Sequence, residues 1–186
     1  WPERGFRRLF AYLFQRVVRL PGTSGSIAIG VASGVAASFL PFIGLHFLIA
    51  ALIALLLRGN VLASAIGTLF GNPWTFLFIW VSDYRLGLWL LQQSGHGDQF
   101  STLNLQQLAD VMVILLHFFT FSGGVGWQQM AEPLAQVFLP MSIGGTVLAI
   151  VAWFVAFVLC YYTFEWWRAH RAKRLEKASK LVKIRK

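Results

Sequence analysis

The chain has 186 residues, of which 57% are hydrophobic, 16% aromatic and only 12% charged, whereas soluble domains carry about a quarter charged residues. That balance excludes an ordinary soluble domain and points to a single all-α integral membrane domain. The net charge is +9, and fourteen of the sixteen basic residues lie at the ends: Arg4, Arg7, Arg8, Arg16 and Arg19 at one, nine more from Arg168 onward at the other, with no Lys or Arg from Leu86 to Trp167. By the positive-inside rule both termini are then cytoplasmic, the middle lies outside, and the number of crossings is even.

Residues 1–22 read as a basic amphipathic interfacial helix. Phe6, Leu9, Phe10, Leu13, Val17 and Leu20 recur at helical steps while arginines take other positions, a pattern suited to a surface of anionic lipid. No cleavable signal peptide is expected, because arginines interrupt the apolar run. Pro21-Gly22 stops the helix, and Thr23, Ser24 and Ser26 supply N-cap candidates for the next one.

Residues 23–92 form the predicted membrane core, with two broken helical units. The first is interrupted at Pro41-Phe42-Ile43-Gly44 and the second at Gly71-Asn72-Pro73, both inside uncharged apolar sequence. About 20 apolar residues already cross a bilayer, so the first unit splits into two pieces too short to span, a length that favours re-entrant or broken helices. Pro41, Gly44 and Pro73 are structural breaks: Pro removes a backbone donor and Gly permits unusual dihedrals. In lipid, backbone leaves a helix only where protein or a water-filled cavity satisfies it. Paired interruptions therefore point to a binding site.

Residues 93–139 are expected on the outer side. A polar loop precedes an amphipathic stripe of Leu105, Leu108, Met112, Leu115 and Phe119, then a glycine-rich turn, then a second short amphipathic helix from Trp127 to Phe138. Residues 140–167 make one full transmembrane helix, leaving the bilayer through a belt of Tyr161, Tyr162, Trp166 and Trp167. Residues 168–186 are a basic cytoplasmic tail, placed to meet anionic lipid or a protein rather than nucleic acid.

Arg58, Asn60, Asn72, Asp83 and Arg85 are the strongly polar side chains among the broken helices, with His46 just beyond the first break. Ionisable groups inside a membrane usually face the protein interior and pair. Arg58 and Arg85 are candidates for meeting an anionic headgroup in one cavity; alternatively Arg58 snorkels to the interface and Asp83 neutralises an arginine. Asn60 and Asn72 sit where helices stop, so each either caps the freed backbone or contacts a ligand. His46 either makes a satisfied polar contact or shuttles protons. Gly30 and Gly34 are spaced for close helix packing. Cys160 stands alone, so no intrachain disulfide forms. Nucleophile-elbow, phosphate-loop and paired-carboxylate patterns are absent, as are haem-attachment and metal-ligand spacings. No catalytic residue, metal or cofactor is expected, and the chain is read as a non-enzyme.

Gly30, Gly34, Pro41 and Gly44, then Arg58-Gly59-Asn60, Gly67-Thr68, Asn72-Pro73 with Thr75, and Tyr84-Arg85-Leu86-Gly87, together resemble the bacterial inner-membrane family known as domain of unknown function two-thousand-and-sixty-two. The resemblance covers residues 5 to 92 well and extends more loosely to the last helix. It implies a small multi-pass protein of the cytoplasmic membrane, in some members joined to glycosyltransferase-like domains. The expected function is a transporter or flippase-like protein handling an anionic amphiphile such as a polyprenyl-phosphate lipid. The alternative is a non-catalytic accessory subunit of a larger membrane complex. Expected partners are membrane lipids, a lipid phosphate among them, and a larger complex or further copies of the chain.

Overall fold

The computed structural model describes residues 8, 12, 16, 20–42, 44–95, 113 and 127–184, without the side chains of 127–135, 175–179 and 181–184. Five helices can be traced end to end: α1 (Ser24–Ala37), α2 (His46–Leu56), α3 (Val61–Gly67, continued by the 3-10 turn Thr68–Phe70), α4 (Pro73–Gln93) and α5 (Trp127–Ile184). No strand occurs among the described residues. Of the expected N-terminal helix, Arg8, Tyr12 and Arg16 are described; they are helical and exposed. The outer stripe and the glycine-rich turn lie outside the described residues, apart from Val113, which is helical and exposed.

The helix ends follow from local chemistry. Thr23 caps α1, its hydroxyl accepting from the Ser26 amide at 3.1 Å. Asn60 caps α3 through the Ala63 amide. Asn72 and Thr75 form a reciprocal capping box on α4, with Pro73 at its first position, where a missing N–H costs nothing. The two expected breaks are real interruptions: none of the described residues from Ser38 to Leu45 is helical, and α3 with its 3-10 turn meets α4 at an angle of 81°.

Small residues set the packing. Helix α1 is built largely of Ala, Gly and Ser and is buried along most of its length. A Cβ on Gly30 would collide with the Asn60 carbonyl oxygen and Ala63, and one on Gly34 with the Ser64 carbonyl oxygen and Gly67. Gly30-x-x-x-Gly34 therefore lies against Ala63-x-x-x-Gly67, backbone on backbone, as such spacing allows. A second close crossing joins α4 to α5. A Cβ on Gly87 would strike the Pro140 carbonyl oxygen, and one on Gly144 the Asp83 carbonyl oxygen. Asp83 facing Gly144 while Gly87 faces Pro140 makes the two helices antiparallel.

Helix α5 is the spine of the molecule and departs from expectation. The sequence predicts a short helix to Phe138, a span over 140–167 and a tail that is either a charged helix or a disordered arm; the structure has one helix of 58 residues running through all three, the tail being helical as far as Ile184. Pro133 and Pro140 lie within it. Pro140 is buried where α4 crosses, so tertiary packing holds the helix together despite the lost backbone bond. Along α5, Gly145 touches Phe39, the Trp153 indole donates to Ser33 at 3.4 Å, Phe164 packs on Ile27, and Arg168 donates to the Gly22 carbonyl at 2.6 Å. Helix α1 thus runs antiparallel to α5, from the basic end of the molecule at Gly22 to the breaks at Phe39.

Helix α2 returns to the basic end. There the Asn60 amide donates to the Ser26 carbonyl and the Asn60 side chain to the Pro21 carbonyl, both at 2.8 Å. The α1–α2 pair is therefore a hairpin with its tip at the first break. Large apolar side chains cover its outside: Leu56 is 81% exposed and Trp74, at the start of α4, 85%. Gln136–Arg174 within α5 is long and apolar enough to cross a membrane, and α3 with α4 passes the same test as a bent pair.

Candidate functional site

The two breaks meet. A Cβ on Gly71 would lie 2.7 Å from the Ser38 hydroxyl and 3.0 Å from the Phe76 ring, and the Phe39 and Phe70 rings stack at 6.0 Å. Opposite them, Phe42 meets Phe138 of α5 edge to face at 5.4 Å. The first break is thus flanked by the start of α4 on one side and by α5 on the other, while Gly44 and Leu45 at the tip stay exposed.

Asp83 stands at this junction. It is completely buried, and neither carboxylate oxygen has a hydrogen-bond partner among the described residues. Buried polar groups are normally satisfied, and a carboxylate left alone is the costliest kind of exception. Four other buried hydroxyls are satisfied, those of Ser33, Ser38, Ser64 and Thr68 each donating to a carbonyl three or four residues earlier, whereas the buried Ser24 hydroxyl, at the far end of α1, has no partner among the described residues. Gly145 lets the Phe39 backbone approach α5: a Cβ there would collide with the Phe39 carbonyl oxygen, while meeting Asp83 Cγ and Oδ2 only in ordinary contact at 3.4 Å.

Three more buried polar atoms near the breaks lack partners: the Trp80 indole nitrogen, His46 Nδ1 and the Ser142 hydroxyl. Trp80 precedes Asp83 by one turn on α4, and Ser142 precedes Gly145 by one turn on α5, so each shares a face with its neighbour. The His46 ring meets Phe76 at 6.1 Å, and Phe76 stacks on Trp80 at 5.2 Å, forming an aromatic row from α2 into α4. The carboxylate, the indole donor and the hydroxyl thus lie along the facing stretches of α4 and α5, and the imidazole stands at the far end of the aromatic row. No group of three His, Cys, Asp or Glu side chains with metal-binding geometry occurs among the described residues.

The predicted site residues divide into two sets. Asp83 and His46 belong to the interior junction, with Pro41 buried in the first break and Gly44 exposed there at φ +84°. Arg58 and Arg85 do not join them, since both side chains are exposed. Residues two apart on a helix point about 200° away from each other, so α4 can bury only one of Asp83 and Arg85. No ion pair links Asp83 to either arginine among the described residues.

Arg58 instead ends a helix. Its amide donates to the Leu55 carbonyl at 3.1 Å and the Gly59 amide to Ala54 at 2.6 Å, the two bonds of a Schellman motif, with Arg58 at φ 57° where glycine is usual. Asn60 spends both side-chain atoms on Ala63 and Pro21, and Asn72 caps α4. Pro73 begins α4. Sequence reasoning missed Trp80, Ser142, Gly144 and Gly145. The glycine pair inside an uncharged span was the available signal.

Residues 7–173 match the bacterial family described as "uncharacterized protein conserved in bacteria", DUF2062. The chain belongs to this family. The match extends through α5 to Lys173, well beyond the segment that carries the sequence motifs. No curated protein and no solved structure matches the chain. Membership in DUF2062 brings no activity with it, so the chemistry of the junction carries the functional question.

Proposed function

We propose that the protein is an integral protein of the bacterial cytoplasmic membrane that moves an anionic amphiphile, of the polyprenyl-phosphate class, from the basic surface past the paired helix breaks. The observation that supports this reading is the meeting of two helix breaks, with the exposed Arg58 at the mouth of the hairpin, in a bundle whose outside is apolar. With Gly22, Arg58 and Arg168 at the cytoplasmic interface, α1 rises about 21 Å before it ends, short of the ~30 Å hydrocarbon layer. The α1–α2 hairpin then re-enters rather than crosses. The α3–α4 pair and α5 make two crossings, and both termini stay on the cytoplasmic side.

Arg58, held at the mouth of the hairpin, offers a planar donor fork for a phosphate at the interface. The break supplies a polar interruption through which a headgroup can leave one leaflet without meeting bare hydrocarbon. The anion contact therefore belongs to the surface, and the interior site offers hydrogen bonds and a negative charge.

The test is reconstitution of the full chain into liposomes containing a fluorescent polyprenyl phosphate, with exchange between leaflets followed by a membrane-impermeant quencher. Exchange should exceed that of empty liposomes and fall in Arg58→Gln. Exchange no faster than in empty liposomes removes the lipid-handling reading.

One observation favours the accessory-subunit reading instead. Trp74, Phe78, Ser82, Arg85 and Trp89 all lie on the exposed side of α4, so a charge sits within an aromatic face that a protein partner would cover. Failure of lipid exchange, together with a stoichiometric protein partner retained from native membranes, would establish that role.

A further inference from the structure

We propose that the junction is a binding site for a partly dehydrated monovalent cation, sodium being the probe of choice, held by the Asp83 carboxylate and the Phe39 carbonyl oxygen. Both oxygens lie beside Gly145, where an added Cβ would collide with the Phe39 carbonyl oxygen and touch Asp83 Oδ2 at 3.4 Å. One belongs to a fully buried carboxylate with no hydrogen-bond partner among the described residues. The other belongs to the non-helical stretch just after α1.

The ligand chemistry selects the ion. Oxygen donors suit hard cations, and one carboxylate with a neutral carbonyl balances a single positive charge. A lone carboxylate is too little for a divalent ion in apolar surroundings, and the junction lacks the clustered His, Cys or acidic side chains of a transition-metal site. The negative pole of α1 points the same way, because the site follows its C-terminus. Half-helix C-termini and unwound carbonyls are the usual elements of such sites in broken-helix proteins. The Ser142 hydroxyl, buried without a partner one turn before Gly145, is the nearest candidate for a third oxygen. Neither arginine can substitute for the cation, because both are exposed. The site does not depend on the lipid-handling reading and would exist in an accessory subunit as well.

The experiment compares the purified full chain in nanodiscs in sodium chloride, potassium chloride and choline chloride at equal ionic strength, between pH 6 and pH 8. It measures retention of radioactive sodium and the unfolding temperature. Wild type should retain about one sodium per chain, displaceable by unlabelled sodium, and should unfold at a temperature that rises and then saturates with sodium but not choline. Asp83→Asn should keep the fold and lose both responses, with sodium affinity falling at least about a hundredfold, as expected on losing a charged ligand.

Equal unfolding temperatures in all three salts, with no retained sodium, would overturn the proposal, and the wild type alone suffices for that outcome. Stability that follows pH but not sodium would overturn it too, since the carboxylate would then simply carry a proton. A sodium response surviving in Asp83→Asn would place the ion elsewhere. Lipid exchange that persists without sodium binding would leave the functional reading standing while this site falls, so the two failures are separable.

Discussion

Arg58 shows how little a charged residue's identity reveals about its duty. Its backbone closes α2 in the left-handed region at φ 57°, a conformation that costs a non-glycine residue about 1–2 kcal/mol. Its guanidinium is free of that duty. Arg58→Gly should therefore raise the thermal stability of the purified protein by roughly 1 kcal/mol while removing any contribution of the charge to lipid exchange. Unchanged exchange with raised stability would reduce Arg58 to a helix cap. Charge was legible in the sequence, but the direction it faces was not. Asp83 and Arg85 lie on opposite sides of α4, and what decides between them is the contact of Gly87 and Asp83 with Pro140 and Gly144, more than fifty residues away. Asn60 and Asn72 were easier, because a capping Asn acts on its immediate neighbours.

Among elements, the two breaks and the short helices around them were legible because Pro, Gly and segment length act locally. Segments of 14 and 11 residues flank the first break, and the Gly30-x-x-x-Gly34 spacing announced a close crossing. Its partner, Ala63-x-x-x-Gly67, was not evident until α3 was seen to fold back on α1. Gly34→Ala should destabilise the protein by about 1–3 kcal/mol or reduce its yield, because the new methyl meets the Ser64 backbone. Gly145→Ala should act similarly, whereas substituting Gly25, whose Cβ would meet only the Thr23 hydroxyl at 3.9 Å, should leave the unfolding temperature nearly unchanged. The continuity of α5 was the least legible feature. The change from apolar to basic sequence suggested a boundary, yet one helix runs through it, and Pro140 within that helix is buried where α4 crosses.

For the molecule as a whole, the account rests on a hairpin that starts and finishes at the basic end and carries a polar junction at its tip. The arrangement has an energetic cost. In the proposed membrane arrangement a carboxylate at bilayer depth costs at least about 2.5–3.5 kcal/mol on insertion scales, so Asp83, with no partner among the described residues, would be retained for a use. The most direct test is depth. Leu45, at the break, and Leu57, beside Arg58, are both exposed, so single cysteines there, with Cys160 replaced by Ala, can carry spin labels into nanodiscs. Collision with dissolved oxygen against collision with a water-soluble nickel complex then reports immersion. The Leu45 label should be rich in oxygen contact and shielded from nickel, and the Leu57 label should sit at the headgroup level. Equal depths at the two positions, or a Leu45 label in open contact with nickel, would contradict the re-entrant hairpin and the interior junction together.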